Sequence, residues 1–298
     1  MEFVRTKTLS IAVETAGPED GWPVLLLHGF PYDAHSYDKV ALLLAAQGAR
    51  VVVPYLRGFG ATTFLSADTM RSGQQAAVAM DAAELIGALG LKQPILSGFD
   101  WGGRSAHIVA ALWPSLVGGL VSVGGYSVQD IAHRNEPDLP LAESRDWYQY
   151  YFHGARGAAG LTKYRREIAA QLWGEWAPGR PLDGFDLTAE SFDNPDFVEV
   201  VIHSYRHRFG LVAGDPAYDD VEALLAAQPV VDVPTIMLDL TEDPILPPLP
   251  LASHREHFTN LIDYRLVAAG HDVPRHKPAA VTDAILALHE RFGLLHSA

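Results

Sequence analysis

The sequence predicts an α/β fold: a mostly parallel central sheet flanked by helices, interrupted once by a helical insertion. Three observations carry that prediction. Over residues 1–125, short continuous apolar runs alternate with amphipathic stretches, the pattern of strands covered on both faces and joined by helices. Over 126–217 the alternation stops; aromatic residues, Gly and Pro cluster, and the periodic parts read as helix. Over 218–298 it resumes. One sheet core in two parts, 1–125 and 218–298, with a helical cap of 126–217 between them, is the economical arrangement.

The elements follow in order. Residues 8–15 alternate apolar and polar and predict a half-exposed strand. Residues 24–27 and 49–56 read as buried strands, with a helix over 36–47 between them. A helix over 72–90 sets Val78, Ala82, Leu85, Ile86 and Leu89 on one face. A strand over 94–98, a helix over 102–112 and a strand over 116–124 close the first part. In the cap, helices are expected over 143–152, 161–172 and 195–209. A short helix from 219, strands over 235–240 and 261–267, and a helix over about 278–292 complete the chain.

Composition narrows the function. The chain has 298 residues, 48% of them hydrophobic and 19% charged, enough to bury a large core. Lys plus Arg is 22 and Asp plus Glu is 36, for a net charge of −14. That charge argues against a nucleic-acid partner, which needs a basic surface, and against docking on anionic membranes. Without cysteine, thiolate nucleophiles, disulfides and Cys-ligated metal are excluded. The first residues lack the apolar stretch of a signal peptide, and no apolar run is long enough to cross a bilayer. A cytoplasmic protein acting on a small molecule is the expectation, its oligomeric state open, a homodimer included.

Three motifs carry chemistry. Ser97-Gly98-Phe99-Asp100-Trp101-Gly102-Gly103 joins a buried strand to a helix, so Asp100 sits in a tight turn at the carboxyl end of the sheet, where open α/β sheets bind ligands. Glycines on both sides permit close backbone approach. This is the pattern of a nucleophile elbow with Asp in the Ser position; a plain helix N-cap is the alternative, though it does not require small residues on both flanks. His28-Gly29-Phe30-Pro31 follows the strand 24–27. A backbone N–H there, with that of Trp101, can form an oxyanion hole. Asp243 and His271 each stand just past a later strand, completing the order nucleophile, acid, base. Asp243 is preferred as the acid over Glu242 and Asp239.

These motifs, with Arg57-Gly58-Phe59-Gly60, resemble the α/β-hydrolase superfamily. Within it they resemble the branch of epoxide hydrolases and haloalkane dehalogenases, whose nucleophile is aspartate. The match spans nearly the whole chain in the family's order; Phe99 departs from the His common before the nucleophile. The resemblance implies catalytic roles for Asp100, Asp243 and His271, and an oxyanion hole from the N–H groups of Phe30 and Trp101. Tyr148, in Tyr148-Gln149-Tyr150-Tyr151-Phe152, and Tyr205, in Ser204-Tyr205-Arg206, match the cap tyrosines that donate protons to an epoxide oxygen; packing is the alternative for such aromatics. Substrate contact is implied for His28, Pro31, Trp101, Gln149 and Arg104. No cofactor and no metal is called for.

A carboxylate attacks a strained or halogenated sp³ carbon, and an epoxide or organohalide, apolar in character, is the expected substrate. A departing alkoxide wants a proton, which a phenol supplies; a departing halide wants an N–H such as an indole. Haloalkane dehalogenases usually have Asn where Phe30 stands. Fluoroacetate dehalogenases hold their substrate with two arginines in the elbow helix; Arg104 matches one and Trp101 replaces the other. Epoxide hydrolysis therefore leads, dehalogenation of haloalkanes or haloacids follows, and a non-catalytic small-molecule receptor comes last. An esterase would need Ser at position 100.

Overall fold

Apolar runs too short for helices become the middle of one sheet. The computed structural model describes residues 1–134 and 136–296, the last five by backbone alone. The strands are β1 (Glu2–Arg5), β2 (Leu9–Ala16), β3 (Trp22–Leu27), β4 (Ala49–Pro54), β5 (Thr63–Phe64), β6 (Ile95–Gly98), β7 (Gly119–Val123), β8 (Thr235–Leu240) and β9 (Leu261–Val267). They lie in the order β1-β2-β4-β3-β6-β7-β8-β9, with β5 beside β2. From β4 through β9 every neighbour is parallel, while β2 meets β1, β4 and β5 antiparallel. Leu25, Leu26, Val52, Leu96, Val121 and Met237 are wholly buried, as expected where helices cover both faces of a parallel sheet. Each such side chain contributes about 1.5–3 kcal/mol.

The helices α1 (Asp38–Ala45), α2 (Gln75–Ala88) and α3 (Asp100–Leu112) belong to the first part of the chain. Between β7 and β8 run α4 (Pro140–Arg145), α5 (Trp147–His153), α6 (Ala155–Trp176), α7 (Phe185–Ala189), α8 (Phe197–His207) and α9 (Asp219–Leu225). The chain closes with α10 (Leu251–His257), α11 (Val273–His276) and α12 (Pro278–His296). The expected stripe of α2 is present, with Leu89 only partly buried. Ala76, Ala77 and Ala79 on its other side are buried too, because α2 is pressed between α3 and α9. The buried Arg57 ties the loop after β4 to α2 through Asp81, with Nε and Nη2 donating at 2.6 and 2.8 Å.

Several expectations need correction. The helix expected over 143–152 is two helices, broken at Asp146 where ψ turns to +12°. The elbow helix starts at Asp100 rather than at residue 102. Strand β1 escaped notice because it is short and mostly exposed, which leaves no apolar run to read. Helix α10 lies just after a Pro-rich stretch that reads as loop. Among the described residues no helix is long and apolar enough to cross a membrane.

Candidate active site

The site begins where β6 stops. Phe99 is still extended (φ −131°, ψ 156°), and Asp100 swings to φ +51°. A non-glycine residue in the left-handed region costs about 1–3 kcal/mol unless its surroundings hold it there. The surroundings here are close. A Cβ on Gly102 would lie 2.1 Å from the Leu27 carbonyl oxygen, and one on Gly29 would lie 2.4 Å from the Asp100 Cβ. The turn after β3 and the elbow thus touch through glycine. The contact delivers a hydrogen bond: Phe30 N donates to Asp100 Oδ1 at 2.8 Å. Asp100 is the first residue of α3 rather than its cap. The Trp101 N–H belongs to the first helical turn, whose amides have no intrahelical acceptor.

The loops after β8 and β9 bring the second carboxylate and the imidazole together. Asp243 Oδ2 is 2.7 Å from His271 Nδ1, and both side chains are buried. Asp243 Oδ1 accepts from Ile245 N at 2.8 Å, which fixes the carboxylate. The opposite ring nitrogen, His271 Nε2, stands 3.8 Å from Asp100 Oδ2. Glu242 and Asp239 are engaged elsewhere: Glu242 pairs with Arg180, and Asp239 Oδ2 is 2.8 Å from His254 Nε2.

The helices between β7 and β8 supply an aromatic wall. Tyr148 on α5 and Tyr205 on α8 meet edge to face, ring centroids 5.3 Å apart. Tyr205 is 5.9 Å from the Trp101 ring. Trp176, at the end of α6, is 5.3 Å from Tyr148 and 4.9 Å from His271. Trp101 Nε1, Trp176 Nε1, Tyr205 Oη and His271 Nε2 are buried without a hydrogen-bond partner. Buried polar atoms are nearly always paired. Four of the nine unpaired ones among the described residues lie on this wall and its base, where they can meet a polar ligand.

The remaining expected positions divide. Gln149 is buried beside Tyr148 and donates through Nε2 to Tyr148 Oη at 3.3 Å. Arg104 is half-buried, its Nε donating to the Ser127 carbonyl at 2.8 Å. Pro31 offers its carbonyl to Trp173 Nε1 at 2.8 Å, a contact that joins the turn after β3 to α6. His28 is better described as a backbone brace than as a substrate contact. Its Nδ1 meets the Gly29 carbonyl and its Nε2 accepts from Leu56 N, each at 3.0 Å. Neither ring nitrogen is left for a ligand, and burial pushes its pKa down to about 4. Trp176 and Arg208 were not singled out from sequence. Trp173 and Trp176 are three positions apart along α6, which the helical period puts near one face, and that spacing was the available signal.

Charges complete the picture. Burial would raise the Asp100 carboxyl, but His271, Arg104 and the Phe30 N–H outweigh it and hold the group below its ordinary value. Burial would lower the His271 imidazole; the carboxylates of Asp243 and Asp100 instead push it up to about 10. The site at rest is a carboxylate facing an imidazolium held by a second carboxylate. Such an arrangement can attack a carbon through Asp100, and the imidazole becomes a base once the charge on Asp100 is gone. Among the described residues no group of His, Asp or Glu side chains is placed to hold a metal ion.

Comparison with known proteins bears on this geometry. The profile of the alpha/beta hydrolase fold matches residues 23–274. The crystal structure of a candidate epoxide hydrolase from Klebsiella pneumoniae is 43% identical, covers 96% of each chain and superposes with a TM-score of 0.92. Epoxide hydrolase 3 of Siraitia grosvenorii is 34% identical over 146 residues, 48% of this chain and 43% of that one. A fluoroacetate dehalogenase from a Burkholderia species is 37% identical over 111 residues, 37% of this chain and 35% of that one. The matched stretches thus span less than half the length of these curated relatives.

Proposed function

The chain belongs to the alpha/beta hydrolase fold family, and on that premise we propose that it is a hydrolase opening epoxides to vicinal diols through an ester on Asp100. Asp100 Oδ attacks a ring carbon; the C–O bond to the enzyme forms as the ring C–O bond breaks. Tyr148 and Tyr205 hold the ring oxygen and supply its proton. The Asp100 ester carries no charge, so His271 loses one of the two carboxylates that keep it protonated, passes its extra proton by way of water to the tyrosinate left by ring opening, and turns into a base. It then takes a proton from water, which attacks the ester carbonyl; the ester C–O bond breaks, the diol leaves with the carboxyl proton, and Asp100 is again a carboxylate facing an imidazolium. The Phe30 and Trp101 N–H groups stabilise the oxyanion, and Asp243 orients the imidazole.

The observation that carries this reading is the pair of buried phenols packed edge to face, one of them beside Trp101, the residue next to a carboxylate that faces a paired imidazole. We read residues 126–217 as a cap closing over the core, and the aromatic wall suits an apolar epoxide. A second reading, dehalogenation by the same nucleophile, is favoured by the unpaired Trp101 Nε1, an N–H donor fit for a departing halide. A single-turnover screen of epoxides beside haloalkanes and haloacetates separates the two. The proposal expects alkylation by an epoxide to be fastest; alkylation by halides alone overturns it in favour of dehalogenation.

A further inference from the structure

Arg208 follows α8 directly and is buried, and among the described residues no carboxylate lies within ion-pair distance of it. Its partners are neutral. Nη1 donates to Gln149 Oε1 at 3.1 Å. The Gln129 carboxamide oxygen, turned toward the guanidinium, accepts from Nε at 2.8 Å and Nη2 at 3.1 Å. A buried cation without a counter-ion is costly, so its position asks for a reason. Two contacts supply one. The guanidinium carbon lies over the Tyr205 ring, 4.3 Å from its centroid. The amide that receives Nη1 passes the contact on, because Gln149 Nε2 donates to Tyr148 Oη. One cation therefore reaches both phenols, the first through its ring face and the second through one carboxamide.

We infer that Arg208 is the positioning residue for the two proton donors, holding them in place and stabilising the negative charge that develops on a phenol when its proton passes to the leaving oxygen. The inference rests on the epoxide reading above. In the step, the Asp100–carbon bond forms, the ring C–O bond breaks, the alkoxide takes the proton of a tyrosine Oη, and the tyrosinate regains a proton from the His271 imidazolium by way of water, which frees the imidazole for the hydrolytic step. The Gln149 donation matters for direction: Tyr148 Oη already accepts from the amide, so its own hydrogen is free to point at the substrate. Other charged or titratable groups facing the phenols are Asp100 and Arg104 on α3, Asp146 before α5, and each phenol for the other. Burial raises both phenols; the charge of Arg208 opposes that rise at both, and the Arg104 guanidinium faces the same two phenols from α3.

The test uses the full chain and single-turnover alkylation, with an epoxide and a matched alkyl bromide, from pH 6 to 10, for wild type, Arg208→Gln and Arg208→Lys. A bromide leaves without a proton, so it reports nucleophile placement alone. Arg208→Gln is expected to slow epoxide alkylation about 10- to 30-fold, as for loss of a desolvated cation–π contact with a hydrogen bond. Bromide alkylation should stay near wild type across the same pH range. Arg208→Lys keeps the charge and should recover much of the epoxide rate; if the Gln variant does not fold, the Lys variant's epoxide-to-bromide ratio decides. Equal losses on both substrates, no loss on either, or a Lys variant as slow as Gln overturn the assignment. A wild type that takes the bromide and no epoxide overturns the function reading itself and this assignment with it.

Discussion

His271 Nε2 and Asp100 Oδ2 stand 3.8 Å apart, near enough to share charge and too far for a hydrogen bond. A base that gripped its nucleophile would block the carbon that has to be attacked. The gap suits a sequence in which Asp100 reacts first and the imidazole acts afterwards on water beside the new ester. The carboxylates of Asp243 and Asp100 push the imidazole up to about 10, and in the proposed scheme it becomes a base only when Asp100 is neutralised.

That coupling has a measurable consequence. Asp100→Asn imitates the loss of charge on alkylation and should bring the His271 titration down from about 10 toward the ordinary imidazole value near 6.5, by at least about one unit. Imidazole ¹⁵N shifts followed against pH read it directly. Because the shift in wild type is upward, the pairing stabilises the fold in full below about pH 6.5 and fades as pH rises through about 10. An unmoved titration in the Asn variant would remove Asp100 from the coupling.

His271→Gln should leave ester formation largely intact and stop its hydrolysis. The alkyl-enzyme then accumulates, visible as a mass increase that peptide mapping puts on Asp100. Lost activity with unmodified protein would mean that the imidazole acts before the covalent step.

The tyrosines should matter only when the leaving atom needs a proton. Tyr205→Phe keeps the ring beside Tyr148 and Trp101 and removes one donor. Epoxide alkylation should fall by up to about 10²- to 10⁴-fold, softened where the second phenol compensates. Tyr148→Phe should act the same way, and the double variant should be nearly inactive. On an alkyl halide both changes should cost little, while Trp101→Phe should be the damaging one. A double Tyr variant with full epoxide activity contradicts the roles proposed here.

The elbow itself can be probed by size. Gly102→Ala would put a Cβ 2.1 Å from the Leu27 carbonyl oxygen, backbone that cannot turn aside as a side chain does. Overpacking of this kind costs about 1–3 kcal/mol or more. A lowered Tm or loss of soluble protein is expected; a variant as stable as wild type would mean that the turn after β3 has room to retreat.

Some of this was legible in the sequence for physical reasons, and some was not. Strands β3, β6 and β8 announce themselves because they are buried on both faces over most of their length and mostly apolar, with Ser97, Thr235 and Asp239 the polar exceptions. The expected span of 235–240 coincides with β8. Strand β1, exposed except for a partly buried Val4, leaves no such mark. Asp100 was readable because a tight turn forces glycine into its flanks, a chemical requirement visible in one dimension. Asp243 and His271 lie near strand ends in an order that sequence preserves. Arg208 was not readable: its meaning comes from Gln149, brought to it by the packing of α5 against α8, and from Gln129 in the segment after β7, both distant in the chain. His28 shows the opposite failure. It opens the motif His28-Gly29-Phe30-Pro31, yet its ring nitrogens turn to the backbone of Gly29 and Leu56.

The central claim is that Asp100, and not water, forms the first bond to the substrate. A single turnover of excess wild-type enzyme on an epoxide in ¹⁸O-water tests it most directly. The account predicts a diol whose new oxygen is unlabelled, because it comes from the Asp100 carboxylate, with the label found afterwards in Asp100; Asp100→Asn should give no turnover at all. Labelled diol from the first turnover would show direct attack by water and contradict the account.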